Sequence, residues 1–108
     1  MTTSSETPVL DTLAAMTLDS VERCGMPADT LVLTRIAALV AVDAPPMSYL
    51  AHIGPAMESG LTVAQVQDVL IAIAPIVGTA RVMSAAAHIT EALGFAIAVA
   101  EAEAELGA

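Results

Sequence analysis

The stretch GLTVAQVQDVLIAIAPIVGTARVMSAAAHITEAL, residues 60–93, decides the reading of the chain. Thr62 is a good N-cap, Gln65 stands where it can return the capping-box hydrogen bond, and Leu61 can staple onto Val66. Gly60 is placed to close the helix before it. Val66, Val69, Leu70 and Ile73 recur at helical spacing, so they form a stripe that faces a core. Pro75 is expected to end or kink that helix, and Gly78 to turn the chain into another.

Working outward, Ala80 to about Leu106 keeps one apolar stripe through Val82, Ala86, Ile89, Leu93 and Ile97. A helix continuous past Gly94 follows, and at 1.5 Å per residue it reaches roughly 40 Å. So long a helix on so small a domain is expected to pack partly on a neighbouring subunit. Its Glu101, Glu103 and Glu105 put negative charge at the negative helix end, where fraying is expected.

On the other side, Met1 to Thr7 is polar and reads as a mobile tail, leaving 8–108 as the single domain. Pro8 suits a helix start, Leu10, Leu13, Ala14, Thr17 and Val21 follow helical spacing, and Gly25 ends that helix. Pro27 or Asp29 opens a second helix that is apolar nearly all round, which predicts burial on every face. Arg35 interrupts it and must reach solvent, a carboxylate or a ligand. Asp43-Ala44-Pro45-Pro46 starts a third helix running to about Ser59, which Pro55 should kink or divide. The expectation is all-α, five helices with short connections and no strand.

Composition bounds the function. The chain has 108 residues, 56% of them hydrophobic, with one Tyr and one Phe. The core must therefore come from Ala, Val, Leu, Ile and Met, with Met16, Met26, Met47, Met57 and Met83 as adaptable filler. A mean hydropathy of +0.77 is more than one small domain readily hides, so part of the apolar surface is expected between subunits of a homo-oligomer. The net charge of −9 argues against nucleic acid. Arg23, Arg35 and Arg81 are the three cations, hence the candidate clamps for an anionic ligand. No apolar run reaches membrane-spanning length and no basic, apolar leader opens the chain, so no membrane partner is expected and the location reads as cytoplasmic. A lone Cys24 excludes an intramolecular disulfide framework.

The order Gly-Leu-Thr, a Val-Gln-Asp-Val-Leu helix, then Gly78-Thr79-Ala80-Arg81 opening another helix resembles the carboxymuconolactone decarboxylase family, which includes the alkylhydroperoxidase D-like proteins. The resemblance implies that family's helical fold and a trimer or hexamer. It also implies that Ala44 to His52 occupies the family's reactive place. Laying the peroxidase branch's Cys-x-x-Cys-x-x-x-His onto His52 puts the cysteine positions at Pro45 and Ser48, and the proton-relay Glu at Leu33. Thiol peroxidase chemistry is therefore disfavoured. The decarboxylase branch's Glu-His-Glu-Leu-x-x-His reads Pro46-Met47-Ser48-Tyr49-Leu50-Ala51-His52, and the final His alone matches. Ala80 and Ser84 stand where the family has Pro and Asn.

His52 is accordingly the candidate catalytic residue, an imidazole able to act as acid or base near neutral pH. Its competing role is structural, satisfied by a backbone carbonyl or by Ser48 one turn earlier. Arg35 and Arg81 are candidate carboxylate clamps, and Ser48 and Tyr49 candidate pocket residues, although Tyr49 equally suits anchoring a helix start. His88, with Ser84 and Glu91 on its face, suits a subunit interface. The histidines with Asp43 or Glu58 lack ligand spacing, so no metal and no cofactor is expected. Two functions stay open: an oligomer that binds a small apolar or carboxylate ligand or a partner, and a cofactor-free decarboxylase or lyase using His52 for proton transfer.

Overall fold

The described residues form five α-helices built around two tight helix endings of the same kind. The structure is a computed structural model and describes residues 6–107. The helices are α1 (Pro8–Arg23), α2 (Ala28–Ala41), α3 (Pro46–Glu58), α4 (Val63–Val77) and α5 (Thr79–Gly107), and no strand occurs among the described residues.

At the end of α3, the Gly60 N–H donates to the Met57 carbonyl at 3.1 Å and the Leu61 N–H to Ala56 at 3.0 Å. These are the two hydrogen bonds of a Schellman motif, and Gly60 adopts the left-handed backbone it requires, φ 108°. Leu61 and Val66 are both buried in the core, as the staple requires. The capping box is complete: Thr62 Oγ1 accepts from the Gln65 N–H at 3.2 Å, and Gln65 Oε1 from the Thr62 N–H at 2.9 Å. The end of α2 repeats the motif, with Asp43 N–H to Val40 at 3.1 Å and Ala44 N–H to Leu39 at 3.0 Å. Here Asp43 takes the left-handed position, φ 55°, which a short polar side chain tolerates better than most.

The core gathers Val40 and Ile36 from α2, Tyr49 and Ile53 from α3, Val66 from α4, and Ala85, Ile89 and Ala92 from α5. Each pair or triplet lies one helical turn apart, so each helix contributes a stripe. Ile36, Val40, Tyr49 and Ile53 are fully buried, each contributing about 1.5–3 kcal/mol. α3 packs most extensively against α5, and α2 against α4 and α3.

Several expectations need correction. Burial of α2 is confined to one side, since Thr34 and Ala38 are exposed; its neighbours α3, α4 and α5 leave that side open. Pro75 does not end α4, which continues to Val77. Lying in the last turn, it removes one hydrogen bond, and the Ile71 position it leaves is exposed. Pro55 likewise sits inside an uninterrupted α3. α5 runs to Gly107, so its acidic end is helical. Met16, Met26, Met47 and Met83 are exposed, leaving Met57 as the partly buried methionine. The expected tail falls mostly on residues 1–5, outside the described residues, as does the side chain of Ile97.

Among the described residues, no helix is long and apolar enough to cross a membrane.

Candidate functional site

α1 stands away from the body of the protein, and the space between them is a groove of about 890 Å³. Its body wall is largely apolar, formed by Leu31 and Val32 of α2, Ala51 and Pro55 of α3, and Leu61 at the start of α4. Thr17 and Val21 form the α1 wall, and Arg35 and His52 face the same space. A volume of this size suits a small ligand, and a mostly apolar wall with a few convergent polar groups is the usual composition of such a site.

Each polar group has a local reason to be there. Arg35 occurs one residue before the buried Ile36, which turns its side chain to the flank of α2. Its Nη2 donates to the Thr17 carbonyl at 3.3 Å, the hydrogen bond that ties α1 to the body. His52 precedes the buried Ile53 and is half-buried. No hydrogen bond engages its imidazole among the described residues. Burial, and then the nearby Arg35 charge, hold its pKa below the ordinary 6.5, so the ring is neutral at pH 7. Pro55, lacking an N–H, leaves the Ala51 carbonyl without its intrahelical donor on the same stretch of wall. The groove thus presents one cation, the Asp29 carboxylate, one neutral imidazole free to donate or accept, and a backbone acceptor.

The other candidates lie elsewhere. Tyr49 is fully buried in the core, and its hydroxyl has no hydrogen-bond partner. Burial, then the Asp43 charge, raise its pKa above the ordinary 10.0. Ser48 is half-buried on α3 and Arg81 is exposed near the start of α5; neither lines the groove. His88 holds the structural role weighed for His52: its Nδ1 lies 2.9 Å from the Ala44 carbonyl, to which the Nδ1–H tautomer donates. One turn earlier, Ser84 Oγ donates to Asp43 Oδ1 at 2.7 Å. Ser84 and His88 therefore lock the α2–α3 turn onto α5. Cys24 is a free thiol. No three His, Cys, Asp or Glu among the described residues cluster as a metal would need.

Sequence reasoning missed the α1 wall and Gln65, which also borders the groove. Nothing in the spacing of Thr17 or Val21 tells which helix they approach, and Gln65 read as a cap.

Protein-family models give no match to the chain, and no curated protein or solved structure matches it significantly.

Proposed function

We propose that the chain is a self-assembling helical binding protein, resembling the carboxymuconolactone decarboxylase family, whose groove takes a small, largely apolar carboxylate. The observation that carries this reading is the pairing of Arg35 with the unengaged His52 in an apolar groove. Arg35 now meets a neutral carbonyl. A ligand carboxylate offers it a charged acceptor, and charge-assisted hydrogen bonds are roughly twice as strong as neutral ones. The apolar wall accommodates the ligand body.

Calorimetric titration with benzoate, hexanoate and the neutral benzamide tests the proposal. Benzoate binds at least about tenfold tighter than benzamide, and Arg35→Gln weakens benzoate by roughly 10- to 100-fold, from the worth of a hydrogen bond to a charged group. Equal affinity for acid and amide, or indifference to Arg35→Gln, contradicts it.

A second reading is favoured by the depressed proton affinity of His52. A neutral imidazole beside a guanidinium is suited to abstract a proton from a carboxylate-bearing substrate, as a cofactor-free decarboxylase or lyase requires. It is distinguished by turnover of lactones or unsaturated acids that His52→Gln abolishes while benzoate binding persists.

A further inference from the structure

The groove is lined by side chains of opposite charge that do not meet. Asp29 and Arg35 both border it, and no ion pair joins them among the described residues. Six residues part them on α2, so at 1.5 Å per residue their backbone positions lie about 9 Å apart along the helix. Ala28, Leu31, Val32 and Arg35 recur at helical spacing on the face of α2 turned to the groove, and Asp29 stands at the edge of that face. Leu31 and Val32, both half-buried, therefore fill the interval between the two charges. Along α2 the wall runs from anion through apolar surface to cation.

Each charge keeps capacity for an outside partner. Arg35 uses one N–H on the neutral Thr17 carbonyl and meets no carboxylate. Asp29 Oδ1 accepts from the Thr30 N–H at 2.8 Å, as suits an acid in the first turn of a helix. Its Oδ2 has no hydrogen-bond partner among the described residues. A ligand bearing a carboxylate alone would satisfy Arg35 and leave Asp29 facing it with like charge. The net charge of −9 works against such an anion as well, whereas a ligand of zero net charge escapes that repulsion.

We infer that the ligand of the groove carries an ammonium as well as a carboxylate, at opposite ends of an apolar chain. The carboxylate meets Arg35, the methylenes lie along Leu31 and Val32, and the ammonium meets Oδ2 of Asp29. This inference rests on the carboxylate reading proposed above and adds to it a second charge and its spacing. An α-amino acid is a poor fit, because its two charges sit on neighbouring carbon atoms and cannot reach both ends of the wall. An ω-amino acid such as ε-aminohexanoate separates them by its whole chain, and the reach of the Arg35 and Asp29 side chains closes the remaining gap.

Titrations of the full chain at low ionic strength, followed through the His52 imidazole resonances, test it with hexanoate, ε-aminohexanoate and norleucine. The last two are isomers whose charges are spaced differently. ε-Aminohexanoate is expected to bind roughly two- to fivefold tighter than either of the others, the range that an exposed ion pair supplies, with the margin shrinking in added salt. Asp29→Asn, which keeps an acceptor for the Thr30 N–H, removes the margin while hexanoate still binds. Hexanoate or norleucine bound as tightly as ε-aminohexanoate overturns the inference, as does a margin that survives Asp29→Asn. The two readings fail separately. Hexanoate binding that Arg35→Gln weakens, without preference for ε-aminohexanoate, removes the second charge and keeps the carboxylate site. Binding of every ligand indifferent to Arg35→Gln removes the carboxylate site and this inference with it, as does the absence of binding by all three.

Discussion

Replacing Tyr49 by Phe should stabilise the protein. The ring is fully buried among the core residues of α2, α3 and α5, while the hydroxyl has no partner. Leaving a buried hydroxyl unsatisfied costs about 1–3 kcal/mol, whereas an apolar replacement of the same shape avoids that cost. Phe keeps the ring packing and loses one oxygen atom's volume, so a net gain of about 1 kcal/mol is expected. For a domain of this size that raises Tm by roughly 4 °C. The alkaline limb sharpens the test. Burial and then Asp43 raise the folded-state pKa above 10.0, so the unfolded chain releases its phenolic proton first. Wild-type stability is therefore lost as pH rises from about 10 toward the folded value, and the Phe variant lacks this loss. The chain has no lysine and no other tyrosine, which leaves this side chain to dominate that pH range. Urea unfolding at pH 7 and above pH 10 measures both effects. If Tyr49→Phe destabilises by more than about 1 kcal/mol at pH 7, the hydroxyl has a partner and the argument fails.

Three further outcomes follow from the same geometry. The lowered pKa of His52 means that the unfolded chain takes up its proton first on acidification, so stability present above pH 6.5 is lost as pH falls toward the folded value; in thermal melts across that window wild type should lose stability relative to His52→Asn. Thr62→Ala removes the capping-box acceptor of α4 and should cost about 1 kcal/mol in urea unfolding. Asp43→Ala places a residue without polar compensation in the left-handed position and strands Ser84, so a loss of about 1–3 kcal/mol is expected, partly restored by Asp43→Gly.

Local features were legible in the sequence because their hydrogen bonds are local. Gly60, Thr62 and Gln65 engage partners three or four residues away. The α5 stripe was legible only in part: Ile89 is buried as its spacing predicts, but its buried companions are Ala85 and Ala92 rather than Val82 and Ala86. Roles set by distant contacts were not legible. His52 and His88 each sit on a helix with a serine four residues before, and they look alike in sequence. The carbonyl that occupies His88 belongs to Ala44, 44 residues earlier, and the cation beside His52 comes from α2. Asp43 reads as a helix breaker, yet its backbone closes α2 while its side chain holds Ser84. The apolar spacing of α1 predicts a helix correctly but cannot tell whether its partner lies in the same chain.

The most direct test of the groove is the His52 imidazole itself, observed by NMR with selectively labelled histidine while benzoate is added. His88, held by the Ala44 carbonyl, serves as the internal control. Saturable shifts at His52, with a rise in its pKa as benzoate offsets the Arg35 charge, are expected; both should vanish in Arg35→Gln while His88 stays still. Shifts at neither histidine, or equal shifts at both that survive Arg35→Gln, would contradict a carboxylate site in this groove.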